Sequence, residues 1–173
     1  MRLFQLKNIA IFLIAFSSHF HWTNLARAQN NTQKEPQAAC LNATSIKAPQ
    51  LYGIWQVTFN NPPVGLPKTA VMLLKKHEEF ADSLSGIVSR EVGPTAANMP
   101  GHAAKAALAG DVEDGFLILD ESSNNINITG TWNGQLVETS CGREVNGVWK
   151  DTSASAPPDA PEVPFTMVKR PGW

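Results

Sequence analysis

Apolar and polar residues alternate along much of this chain, and five stretches share one arrangement: an apolar residue, glycine two positions on, and a second apolar residue two further. They are Leu51–Gly53–Trp55, Leu84–Gly86–Val88, Leu108–Gly110–Val112, Ile128–Gly130–Trp132 and Val145–Gly147–Trp149. Side chains of a strand alternate between its faces, so a spacing of two puts all three residues of each stretch on one face. Glycine inside a strand weakens it unless it relieves crowding or permits a bend. Small residues beside large ones on an inward face are how a narrow closed barrel fills its interior.

The same alternation predicts strands over 51–59, where Trp55, Val57 and Phe59 interleave with Gln56 and Thr58, and over 69–78 and 84–90. The apolar first half of 69–78 reads as buried on both faces. The alanines of 102–109 suit a helix and the Leu108–Gly110–Val112 spacing suits a strand; strand is the reading adopted. Further strands are expected at 116–120, 126–132, 135–141, 145–150 and 165–169, with Asn133–Gly134 as the turn of a hairpin. Long irregular connections fall at 93–101 and 152–161. Eight or nine short strands at hairpin spacing imply an all-β domain, an up-and-down antiparallel β-barrel of about eight strands, because closure removes exposed sheet edges.

The first residues read differently. Arg2 and Lys7, a short apolar run, and Ala26–Arg27–Ala28 form a secretory signal pattern over 1–28. The run is shorter than the roughly 20 residues of a membrane-spanning helix. Residues 29–50 are polar and read as a flexible lead-in, and 51–173 as the barrel domain. The expected location is therefore outside the cytoplasm, periplasmic or extracellular. In an exported chain the pair Cys40 and Cys141 is most simply one disulfide.

Of fourteen Lys and Arg residues, Arg2, Lys7 and Arg27 leave with the signal; eleven then face fifteen acidic side chains, a net charge of −4. The basic residues do not cluster, which argues against nucleic-acid and membrane partners. His77 and His102 lie far apart without neighbouring ligand types, so no metal site and no cofactor is expected. No G-x-S-x-G elbow is present. The acidic pair Asp120–Glu121 flanks a turn, where such residues face water. An enzymatic role thus has no motif behind it. The bulk of the core falls to Trp55, Trp132, Trp149, Phe59, Phe80, Phe116 and Phe165, and the three tryptophans are also the candidate lining of a ligand pocket at one barrel end.

Gly53–Ile54–Trp55 on the first strand resembles the opening motif of the calycin group of secreted barrels, the lipocalins and avidins. Residues 131–137 resemble the tryptophan hairpin of avidin and streptavidin, 142–149 the turn and tryptophan strand that follow, and 165–169 their closing strand. The resemblance implies that Trp132 and Trp149 match positions lining the biotin site. Val163 stands where that family carries an aspartate, Gln56 and Val57 replace its polar pair, and Ile128 and Gly130 replace hydroxyl side chains. Losing such partners removes much of the affinity of a hydrogen-bonding site. Two expectations follow. One is a non-enzymatic exported barrel that binds a small, partly apolar or flat ligand through Trp55, Trp132 and Trp149. The other is a protein-interaction module, an enzyme inhibitor or a subunit of an assembly, that uses the long connections 93–101 and 152–161.

Overall fold

Period-two alternation organises the whole molecule. In the computed structural model, which describes residues 40–91 and 104–172, eight strands follow in chain order. They are β1 (Gly53–Phe59), β2 (Thr69–Lys76), β3 (Leu84–Arg90), β4 (Lys105–Glu113), β5 (Phe116–Ser122), β6 (Gly130–Leu136), β7 (Glu144–Asp151) and β8 (Glu162–Lys169). Each pairs antiparallel with the next, and β8 pairs back onto β1 to close an up-and-down barrel. One face of every strand is buried, as with Trp55, Val57 and Phe59 on β1 and Val163, Phe165 and Met167 on β8. The signal pattern at 1–28, the first half of the lead-in (29–39) and the connection 93–101 lie outside the described residues.

The two ends of the barrel differ. At the first end the chain enters through a 3-10 turn (Ala43–Ser45) and a one-turn helix α1 (Ala48–Leu51), which bury Ala43, Ile46, Ala48 and Leu51. The end of the lead-in is thus a packed floor. Pro49 in the first turn and a reciprocal cap between Lys47 and Gln50 make Leu51 helical, where the alternation had placed it in the first strand. The Cys40–Cys141 disulfide fastens this segment to the β6–β7 connection. The second end carries the connections β1–β2, β3–β4, β5–β6 and β7–β8.

Asn133–Gly134 does not form a turn. Both residues sit in the middle of β6, so the expected strands 126–132 and 135–141 are replaced by a single strand, with Gly134 opposite Gly147 of β7. The glycine serves packing: a Cβ there would stand 2.5 Å from Val145 Cγ1. The chain reverses instead through a 3-10 turn (Glu138–Ser140), followed by Cys141 and Gly142 with φ of 56° and 72°. Ile126 and Ile128 are exposed in the preceding connection. Two further expectations are corrected. Phe80 and Phe116 lie on the surface, Phe80 in a turn and Phe116 on the outer face of β5. On β2 only Ala70, Met72 and Leu74 are buried, because Leu73 points outward.

Candidate functional site

The inward row of β3 runs Leu84, Gly86, Val88 and then Arg90; that of β5 runs Leu117, Leu119 and then Glu121. Both rows end at the second end of the barrel, so strand geometry brings a guanidinium and a carboxylate together inside it. Arg90 Nη1 donates to Glu121 Oε1 at 2.8 Å and Nη2 to Oε2 at 2.6 Å, with both side chains wholly shielded from water. The indole N–H groups of Trp132 and Trp149 also donate to Oε2, at 2.9 and 3.1 Å. Four donors therefore converge on one carboxylate. Desolvating a charged pair is costly, and bidentate geometry with further donors is what offsets it.

Aromatic rings complete the enclosure. The Arg90 guanidinium lies 5.6 Å from the Trp132 ring centroid and 5.5 Å from that of Trp149, a cation–π arrangement on two sides. Trp132 and Trp149 are direct cross-strand partners with centroids 6.3 Å apart, and Phe59 and Phe165 pack on Trp132 at 5.5 and 5.1 Å. Gly130 leaves the room this requires, since a Cβ there would meet Trp149 Nε1 at 2.7 Å. Among the side-chain polar atoms of the described residues, Arg90 Nε alone is buried without a hydrogen-bond partner.

Three connections of this end, β1–β2, β5–β6 and β7–β8, carry buried residues. Leu66, Thr129, Ser153 and Ala160 are buried. Thr129 accepts from Ser123 N and donates to the Glu121 carbonyl, and its own amide bonds that same carbonyl at 2.7 Å. The β7–β8 connection is internally ordered: Ser153 N donates to Asp151 Oδ1, Ala156 N to the Ser153 carbonyl and Ala160 N to the Pro157 carbonyl. Its remaining side chains at Thr152, Ala154, Ser155, Pro157, Pro158 and Asp159 face water.

The three tryptophans expected to line one pocket are divided between the ends. Trp132 and Trp149 share the Arg90–Glu121 cluster. Trp55 belongs to the other end, where its indole donates to the Leu51 carbonyl at 2.8 Å. Their exposures are 0%, 0% and 1% for Trp55, Trp132 and Trp149, so each is packed core in this conformation. Glu121, expected to face water beside a turn, is instead fully buried, as is Arg90, which no sequence motif marks. The signal for both was available: a charged residue that continues an inward apolar row. His77 Nδ1 accepts the amides of Glu79 and Phe80, a role within its turn.

Two surface features complete the picture. On the outer face of β5, β6 and β7 a groove of about 310 Å³ is lined by Phe116, Ile118, Asn133, Gln135, Asn146 and Val148, over the backbone of Gly134 and Gly147. At the first end Lys169 Nζ donates to the Gln50 carbonyl at 2.7 Å, and burial, followed by the nearby Arg143 charge, lowers its pKa.

No protein-family model matches the chain, and no curated protein matches it. Among solved structures it is similar to a redesigned β-barrel, with a TM-score of 0.43 and 12% identity over 72% of this chain and 95% of that one.

Proposed function

We infer that this protein is a non-enzymatic, exported interaction module, in which a filled barrel is a rigid scaffold and the connections at its second end meet a protein partner. One observation carries the reading: the indole N–H groups of Trp55, Trp132 and Trp149 are all engaged inside the barrel, two of them on the Glu121 carboxylate. A ligand entering this end would have to separate Glu121 from Arg90 and from both indoles. The ordered β7–β8 connection supplies a pre-shaped surface, and loops held on a rigid frame are where recognition concentrates. The disulfide fits an oxidising compartment.

Kinship with the calycin barrels, avidin-like or lipocalin-like, is part of this proposal and rests on Gly53–Ile54–Trp55 in β1 and the paired Trp132 and Trp149. Biotin binding is not part of it. Glu121 fills the space between the tryptophans, and Val163 is a buried apolar side chain.

Native mass spectrometry of the protein purified from its own source tests the reading. The expected result is a bare mass with one disulfide, together with a stoichiometric protein partner that is lost when Asp159 and Ser155 are both replaced by Lys. A discrete small-molecule adduct released on unfolding would overturn it in favour of the ligand-binding barrel.

A further inference from the structure

We propose that the outer groove across β5, β6 and β7 binds a neutral, polyhydroxylated ligand, a glycan chain lying across the strands. This surface is separate from the connections at the second end and does not depend on their role.

Strand register sets out the surface. Phe116 of β5 is opposite Gln135 of β6, Gln135 is opposite Asn146 of β7, and Asn146 is opposite Thr166 of β8. One step along the strands, Ile118, Asn133, Val148 and Pro164 form a parallel row. Adjacent strands are about 4.8 Å apart, so the first row presents a phenyl ring, two amides and a hydroxyl along roughly 14 Å. Its volume is at the small end of the range for small-molecule sites, roughly 300–1,000 Å³.

The chemistry of this row is specific. Phe116 is about half exposed, and its ring gives an apolar face for the C–H face of a sugar. The amides of Asn133 and Gln135 make no hydrogen bond among the described residues, and the Asn146 Oδ1 accepts only from Thr166 Oγ1. An amide both donates and accepts, as a sugar hydroxyl does. None of the groove's lining residues is charged. The nearest charges on its β4 side are acidic, Asp111 opposite Ile118 and Glu113 opposite Phe116. On β7 Lys150 follows Val148 on the outward parity and is opposite Glu162 of β8, so the flanking charges are mixed and the uncharged lining itself matches a neutral ligand.

The test uses isothermal titration of the disulfide-bonded protein with neutral hexasaccharides of β-1,4-linked glucose and of β-1,4-linked N-acetylglucosamine, and with a galacturonate hexamer as the anionic control. At least one neutral hexasaccharide is expected to bind, with affinity reduced tenfold or more in Phe116→Ala and in Gln135→Ala. Both variants are surface changes and should retain the parent melting temperature. Failure of both neutral sugars to bind, preference for the uronate, or binding unaffected by Phe116→Ala would each overturn the proposal. So would sedimentation showing a dimer that Phe116→Ala dissolves, since the face would then belong to a second copy of the chain.

Discussion

Arg90 and Glu121, 31 positions apart in the chain, form a bidentate ion pair inside the barrel at 2.8 and 2.6 Å, with neither side chain reaching water. Two indoles share the same carboxylate. The arrangement forms a polar layer within the core at the second end of the barrel.

The two members of this pair should behave as a unit when they are removed. Glu121→Ala leaves a buried guanidinium without its counter-charge, and a loss of about 3–5 kcal/mol is expected in denaturant unfolding. Arg90→Met combined with Glu121→Leu should cost less than the two single changes added together, with a coupling of roughly 0.5–3 kcal/mol. The two indoles left without an acceptor keep the double variant from neutrality. Additive losses would show that the pair is not a unit.

Gly134→Ala should destabilise by about 1–3 kcal/mol through overpacking, because the new methyl meets Val145 Cγ1. The loss should shrink in a Val145→Ala background, relative to Val145→Ala alone. If Gly134 instead supplied a turn conformation, trimming Val145 would bring no relief.

The disulfide closes a span of 101 positions. The chain-entropy relation gives about 4.7 kcal/mol for a loop of that size, so the Cys40→Ser/Cys141→Ser variant should unfold at a markedly lower denaturant midpoint. An unchanged midpoint would mean that the floor segment is held by Ile46 and Leu51 without it.

Lys169 gives a pH dependence with a definite sign. Its folded-state pKa is lowered, by burial first and by Arg143 second, so the unfolded chain holds that proton more tightly. Stability should therefore rise with pH between the folded value and the ordinary lysine value, and the penalty is fully present below that interval. Lys169→Gln should remove this alkaline rise; an identical pH profile would contradict the assignment.

The fold was legible in the sequence because period-two alternation is a local property, and the strands at 84–90 and 145–150 lie within or match observed elements. Asn133–Gly134 departs from its turn expectation because the dipeptide's turn preference is local, while the demand for a small residue beside Val145 and Phe165 is tertiary. Phe80 and Phe116 depart from their core expectation for the opposite reason: aromatic character does not by itself imply burial, and Phe116 lies on the outward parity of β5. Glu121 was misjudged with its neighbour Asp120, although the two differ in parity and only Glu121 continues the row of Leu117 and Leu119. The pairing with Arg90 depends on two strands that the chain alone does not align.

The three tryptophans are buried, and the indole N–H groups of Trp55, Trp132 and Trp149 are all hydrogen-bonded inside the barrel. Hydrogen exchange of the indole N–H groups, followed by NMR after transfer to deuterated buffer, tests it most directly. Trp55, Trp132 and Trp149 are expected to exchange only at the rate of global unfolding, with all three signals outlasting those of exposed amides. Loss of the Trp132 and Trp149 signals within the dead time, with Trp55 still protected, would show that the Arg90–Glu121 end opens to solvent and would contradict it.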